Sequence, residues 1–160
     1  MKRFLVCLSA AMLSLAPMKS TPALTPREFF ERLNKDTMEL VEEFYAEDAV
    51  FQDPVVSLKG PAAIRAHYAY QYEGVTSIRW DFEPEIVQGD RRVLVWTMHL
   101  AHPRLNGGRE YGVPGNSVFR MANGKVVYQR DYFDMGDFVY ERIPAIGSLI
   151  RVIKGRMTTH

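Results

Sequence analysis

Two stretches in the N-terminal half of the chain carry apolar residues at helical spacing. In the first stretch these residues form one stripe: Phe30, Leu33, Leu40, Val41 and Phe44. Thr25-Pro26-Arg27-Glu28 precedes the stripe and supplies an N-cap residue, a proline at the first helical position and the Glu of a capping box. The pattern predicts two helical pieces with a kink between them, ending near Tyr45.

The second stretch begins at Gly60-Pro61 and ends near Tyr72. Gly followed by Pro is typical of a helix start, because proline fits the first helical position. Ile64 and Tyr68 form the apolar face of this predicted helix, and His67 lies beside them.

From Thr76 onwards, alternation of apolar and polar residues replaces helical spacing. The predicted strands are 77–83, 92–101, 110–120 and 125–134. Asn123-Gly124 has the sequence of a tight hairpin turn, and Pro114-Gly115 predicts a bulge or bend within its strand. Helices followed by antiparallel strands indicate an α+β fold.

The C-terminal tail returns to helical spacing. Its apolar stripe consists of Ile146, Leu149, Ile150, Ile153 and Met157. Such a stripe predicts a helix that docks on its own sheet or on a partner subunit. The basic residues Arg151, Lys154 and Arg156 lie off the stripe, which leaves open a helix resting on an anionic membrane surface.

The N-terminus has the layout of a signal peptide, with Met1-Lys2-Arg3 followed by a short apolar run. Cleavage after Ala23 would release a periplasmic or secreted protein. The alternative is translation from Met18, which would give a cytoplasmic protein. These observations divide the chain into a probable leader (1–23), one domain (24–137) and a helical tail (138–160).

Composition narrows the function classes. The 160 residues suffice for one domain with a core, and a net charge of +1 argues against nucleic acid as a partner. The single cysteine, Cys7, excludes an intramolecular disulfide and a zinc site built on cysteines. Because the histidines show no metal-site spacing either, no metal and no other cofactor is expected.

Three motifs carry a resemblance to a known family: Tyr45-Ala46-Glu47-Asp48-Ala49 with Asp53-Pro54, Gly60 with the helix after it, and the strand end Tyr132-Phe133-Asp134. Together they resemble the SnoaL-like branch of the nuclear transport factor 2 superfamily over about residues 25–134. The superfamily also includes ketosteroid isomerase, limonene epoxide hydrolase and scytalone dehydratase.

This resemblance implies a cone-shaped barrel, in which a strongly curved sheet wraps around helices and leaves a deep apolar pocket. It also implies a small lipophilic ligand and a homodimer formed through the outer sheet face.

Asp53 stands where ketosteroid isomerase has its general base, and burial of this residue would favour the neutral carboxyl. The alternative is that Asp53 merely starts a turn before Pro54. The two oxyanion donors of that isomerase would match Phe29 and Ser117, which are weak replacements. The resemblance therefore favours another isomerase, a dehydratase or a cyclase over a ketosteroid isomerase.

Asp131 is the second candidate acid or base. On its strand it shares a face with Phe133, and the resemblance places that face in the pocket. Two carboxyls in one apolar pocket would titrate as a pair. The alternative is an ion pair between Asp131 and Arg120 or Arg130.

The strand 92–101 is apolar on both faces. One face carries Val93, Val95, Thr97 and His99, and the other carries Leu94, Trp96, Met98 and Leu100. We expect the first face to line the pocket, so that Thr97 lies in its wall and His99 meets Asp131. The second face would then contact a partner subunit. The alternative for His99 is a position at the strand end near solvent.

Tyr68 is also expected in the pocket wall. The alternative to an enzyme is a domain that binds a ligand without catalysis or that serves dimeric interaction.

Overall fold

The structure is a computed structural model that describes residues 23–158 of the chain. The predicted signal peptide and the alternative start at Met18 lie outside these residues, apart from Ala23, and stay predictions. Within the described part, no helix has the length and apolar character that crossing a membrane requires.

The predicted helices and strands are present, but two strands also lie between the second and third helices. The elements are α1 (Pro26–Arg32), α2 (Leu40–Phe44), β1 (Tyr45–Gln52), β2 (Ser57–Lys59), α3 (Pro61–Tyr72), β3 (Ser77–Phe82), β4 (Ile86–Gln88), β5 (Arg91–Ala101), β6 (Tyr111–Ala122), β7 (Lys125–Phe133), α4 (Met135–Phe138) and α5 (Pro144–Thr158). Short 3-10 turns occupy Asn106–Gly108 and Tyr140–Arg142.

Local sequence accounts for the ends of these elements. Thr25 accepts a hydrogen bond from the Glu28 amide while the Glu28 side chain accepts one from the Thr25 amide, which is the predicted capping box. The β6–β7 hairpin turns at Asn123 and Gly124, whose φ angles are 51° and 78°. Asn and Gly tolerate these left-handed angles better than other residues do.

The strands form one mixed sheet with the order β2-β1-β7-β6-β5-β3, and β4 pairs with β5. Every neighbouring pair is antiparallel except β1 and β7, which are parallel. The prediction of an α+β fold with a curved sheet around helices is confirmed, although the sheet stays open and does not close into a barrel.

The core lies between α1–α3 and the inner face of this sheet. Phe29 stacks on Phe44 with ring centroids 4.1 Å apart, and both rings are buried. Phe119 and Trp96 close the sheet side of the same cluster. The predicted stripe at 30–44 therefore faces the sheet, and burial of its large apolar side chains stabilises the fold.

Helix α5 does not dock on its own sheet. Ile146, Leu149, Ile153 and Met157 are 44%, 62%, 50% and 75% exposed, whereas Ile150 is half-buried. The helix is held instead by the segment before it, where Lys154 forms an ion pair with Glu141. The prediction of a helix buried on its own sheet is wrong for this chain, and a partner subunit or a membrane surface remains a prediction.

Candidate functional site

A narrow apolar pocket opens between α3, the inner face of the sheet and α4. Its lining includes two carboxyl groups among mostly apolar side chains: Phe30, Phe51, Asp53, Tyr68, Gln71, Tyr72, Val75, Ile78, Trp80, Trp96, Met98, Leu100, Asp131, Phe133 and Phe138. Its cavity volume is about 80 Å³. So little room favours a slim or flat ligand over a bulky one.

Asp53 lies at the end of β1, in a turn that fixes both of its carboxylate oxygens. Oδ1 accepts hydrogen bonds from the amides of Val55 and Val56 at 2.6 and 2.7 Å. Oδ2 lies 3.3 Å from Nε2 of His67, a residue of α3. The turn after Asp53-Pro54 thus exists, and it orients a carboxylate whose side chain is only 2% exposed.

These hydrogen bonds set the charge of Asp53. Burial alone would raise its pKa, but the hydrogen bonds from His67 and from the two amides outweigh burial and hold the pKa below its ordinary value. Our expectation of a neutral Asp53 is wrong in direction, because burial was weighed without these donors. Asp53 is therefore a carboxylate at neutral pH.

His67 is a residue of this site to which the sequence analysis gave no role. It sits on the α3 face that carries Ile64 and Tyr68, and its ring lies 5.6 Å from that of Phe51. The sequence feature that could have identified His67 as a site residue was its position on the helix face that carries Ile64 and Tyr68. Its contact with Asp53 is tertiary, because 14 residues separate the two along the chain.

Asp131 lies on β7 and has the opposite electrostatic balance. Burial, together with the charge on Asp53, raises the pKa of this carboxyl to about 7, although hydrogen bonds from Ser117 and Gln129 partly offset the rise. The alternative of an ion pair with arginine is wrong. Arg130 donates to Gln52 instead, and Arg120 lies over the ring of Tyr128.

Two series of hydrogen-bonded side chains end at Asp131. Tyr45 and Tyr68 have their hydroxyl oxygens 3.1 Å apart, and Tyr45 donates to Gln129 Oε1 at 2.5 Å. Gln129 Nε2 then donates to Asp131 Oδ1 at 2.8 Å. Burial raises the pKa of both phenols well above the ordinary value, so they remain protonated donors.

The second series of hydrogen bonds begins at Trp96 on β5. Its Nε1 donates to Ser117 Oγ at 2.9 Å, and Ser117 is the cross-strand neighbour of Asp131. Gly115 makes room for the indole, because a Cβ there would lie 2.3 Å from a Trp96 ring atom. Pairing with β5 continues unbroken through Pro114 and Gly115, so the predicted bulge is wrong. The glycine serves close packing instead.

His99 and Thr97 lie on the other face of the sheet, which corrects two predicted site residues. His99 Nε2 is 2.7 Å from Asp81 Oδ2, and its Nδ1 lies 4.0 Å from Glu110. Neither His99 nor Thr97 lines the pocket. The strand presents Trp96 and Met98 inward, so our assignment of its two faces was reversed.

That reversal also changes the expected dimer surface. Trp96 and Met98 line the pocket and are not available to a partner subunit. The outer face of β5 carries Val93, Val95, Thr97 and His99 instead, all half-buried. A homodimer through this sheet face remains a prediction.

The other predicted pocket residues fall into two groups. Tyr68 and Phe133 line the pocket, as Asp53 and Asp131 do. Phe29 is fully buried in the core behind Tyr68, with ring centroids 5.8 Å apart. Ser117 is fully buried as well and acts on the pocket through Asp131.

A metal site is not evident among residues 23–158, where no three His, Cys, Asp or Glu side chains are grouped as ligands. What the pocket offers is acid–base chemistry. One carboxylate is held ionised, and a second carboxyl titrates near neutral pH.

Comparison with known proteins bears on the part of the chain that holds the sheet and the first three helices. A family model described as a SnoaL-like domain matches residues 27–129. A search of curated proteins found no match.

Solved structures of similar fold include three bacterial proteins. A nuclear transport factor 2-like protein of unknown function from Burkholderia pseudomallei has 21% identity and a TM-score of 0.60, covering 69% of this chain and 86% of that one. A Jannaschia protein proposed to be a SnoaL-like polyketide cyclase has 21% identity and a TM-score of 0.55, with 61% and 72% coverage.

The third, from Catenulispora acidiphila, is a hypothetical protein with a ketosteroid isomerase-like fold, in complex with trimethylamine. It has 14% identity and a TM-score of 0.61, covering 71% of this chain and 85% of that one. At these identities the three structures show a shared fold.

Proposed function

Because this chain belongs to the SnoaL-like family, we propose that its pocket binds a small, largely apolar molecule and moves a proton on it, as a cyclase or an isomerase does. The apolar lining supports this function, because it takes a carbon skeleton out of water and strengthens the electrostatic effect of the few polar groups present.

One observation carries the proposal: two carboxyls share an apolar pocket but have opposite environments. Asp131 is buried with a pKa of about 7, close to the working pH at which a general base is most effective. In its ionised form it accepts a proton from a carbon next to a carbonyl group. The C–H electron pair is delocalised onto the carbonyl oxygen, and Asp131 later returns the proton to another carbon or to that oxygen.

Asp53 is assigned the role of a fixed negative charge. Its two oxygens already accept hydrogen bonds from Val55, Val56 and His67, and its lowered pKa makes it a weaker base than Asp131. Its charge raises the pKa of Asp131 and so makes Asp131 a stronger base. We therefore exchange the predicted roles of the two residues.

Non-catalytic ligand binding is the second candidate function. Phe29 supports this candidate, because it has no hydroxyl at the position where ketosteroid isomerase would have a donor. Phe29 is also buried behind the pocket wall. The two candidates differ in one measurable property, which is exchange of carbon-bound hydrogen.

The experiment uses 2-tetralone, a flat ketone with acidic C–H bonds, as a probe in deuterated buffer. We expect the wild-type protein to accelerate hydrogen–deuterium exchange, followed by NMR, and Asp131→Asn to lose ~100- to 10,000-fold of that acceleration. Asp48→Asn, which removes an exposed carboxylate of β1, is the control. Equal exchange by wild type and Asp131→Asn contradicts the proposal and leaves ligand binding as the function.

A further inference from the structure

Two residues of the pocket wall each carry a polar atom that has no hydrogen-bond partner. These atoms are the Tyr72 hydroxyl and the Trp80 indole Nε1, both buried from solvent. Water therefore cannot supply the missing hydrogen bonds, and a buried polar group without a partner destabilises a fold. Because neither atom has appreciable accessible surface, a ligand atom can bond to this pair only when neighbouring side chains of the pocket move aside.

The two atoms are neighbours without being partners. Burial raises the pKa of Tyr72, and a weak hydrogen bond with the Trp80 side chain lowers that pKa in part. This contact falls outside normal hydrogen-bond geometry, so it satisfies neither group. Tyr72 remains a protonated phenol at neutral pH, so the pair offers an O–H and an N–H donor in one place.

Surrounding rings hold the Trp80 indole in position. Its ring centroid lies 4.9 Å from that of Phe30 and 6.0 Å from that of Phe82, which it stacks against. Tyr72 is the last residue of α3, so the rigid helix positions it.

The pair lines the same pocket as Asp131. Trp80 and Trp96 meet edge to face, with centroids 5.2 Å apart, and Trp96 in turn donates to Ser117 beside Asp131. A ligand that spans the pocket can thus present a C–H to Asp131 and an oxygen to the donor pair. A conjugated or fused-ring ketone suits such a pocket, because loss of a proton at carbon places negative charge on its oxygen.

We propose that Tyr72 and Trp80 form a polar subsite that binds a ketone or enol oxygen of a slim, ring-containing substrate. The inference rests on the proposed function and narrows its substrate class. It also supplies a donor pair for the developing oxyanion at a place other than Phe29 and Ser117. Such donors accelerate a reaction when they bond more strongly to the transition state than to the substrate.

The test compares binding of 2-tetralone with that of tetralin, which has the same ring frame without the oxygen. Trp80 and Trp96 are the only tryptophans of the chain and both line the pocket, so tryptophan fluorescence reports binding there. We expect the wild type to bind the ketone about tenfold more tightly than the hydrocarbon. Tyr72→Phe should remove most of that preference and leave tetralin affinity unchanged.

The matched control is Tyr70→Phe, which removes a hydroxyl from the same helix at a position that is 76% exposed. We expect this control to keep the ketone preference. Tyr72→Phe should also unfold at the same temperature as wild type or higher, because the hydroxyl it removes has no partner.

Two results overturn the inference: a wild type that does not distinguish the two ligands, or a ketone preference that survives in Tyr72→Phe. Either result leaves the assignment of Asp131 intact, since that assignment is tested separately by deuterium exchange in wild type and Asp131→Asn.

Discussion

Gln129 donates a 2.8 Å hydrogen bond to Asp131, two residues further along the same face of β7. Because Gln129 Oε1 also accepts from Tyr45, a single fully buried amide joins the core to the carboxyl of the pocket. Its contribution to Asp131 is to stabilise the ionised form and so to moderate the rise in pKa caused by burial.

Gln129→Leu should therefore raise the pKa of Asp131 and shift the pH–rate inflection of deuterium exchange upwards. It should also lower the free energy of unfolding by roughly 1–3 kcal/mol, because the Tyr45 hydroxyl loses its acceptor in the core. Gln88→Leu, on exposed β4, is the control for both measurements. An unchanged inflection would mean that the amide does not influence Asp131.

Asp131→Asn should stabilise the protein at alkaline pH. The pKa of Asp131 rises from an ordinary 3.8 to about 7 in the folded state, so the native state retains a proton that the unfolded chain has lost. Ionisation of Asp131 therefore lowers the free energy of unfolding. This loss grows between about pH 4 and pH 7 and reaches about 4 kcal/mol above pH 7.

Urea unfolding at pH 5 and pH 8 measures this effect. The advantage of Asp131→Asn over wild type should be larger at pH 8, whereas Asp48→Asn should show no such difference. An equal advantage at both pH values would show that Asp131 does not titrate between them.

Asp53→Asn should keep deuterium exchange but move its pH–rate inflection to lower pH. The reason is that removing the negative charge of Asp53 takes away one cause of the raised pKa of Asp131. Should Asp53→Asn abolish exchange as completely as Asp131→Asn does, the two carboxyls would act as one unit and the separate roles proposed for them would be wrong.

The same substitution should alter acid stability. A carboxyl with a lowered pKa stabilises the fold above its unfolded pKa, and that stability is lost as the pH falls through the folded value. Wild type should therefore lose stability in this acid range more steeply than Asp53→Asn, as thermal unfolding across pH 2–5 would record.

Gly115→Ala should destabilise the fold by about 1–3 kcal/mol, because the new methyl group overlaps the Trp96 indole. Displacing that ring should also break its hydrogen bond to Ser117 and change the tryptophan fluorescence. Gly155→Ala is the control, since a Cβ at that position of α5 meets no atom within 4 Å. A fluorescence spectrum identical to wild type would show that Trp96 has not moved.

Local sequence signals predicted the elements well where short-range chemistry decides them. The capping box at Thr25, the helix start at Pro61 and the hairpin turn at Asn123 each depend on neighbouring residues only. The family resemblance added the curved sheet around the helices, which spacing alone does not specify.

The faces of β5 were not predictable in this way. Alternation identifies the inner face of a strand only when the two faces differ in polarity, and both faces of β5 are largely apolar. Gly115 opposite Trp96 was the decisive clue, but it acts through cross-strand pairing, which the sequence does not display. The contact between His67 and Asp53 likewise depends on how α3 packs against β1.

The parallel pairing of β1 with β7 has a kinetic consequence. Gln52 and Arg130, which hydrogen-bond across these strands, are 78 residues apart in the chain, and contacts over such long loops slow folding. Asp131 meets Asp53 only once this junction closes. Proton uptake during refolding at pH 6, followed with an indicator dye, should therefore coincide with completion of the native sheet and not with early helix formation.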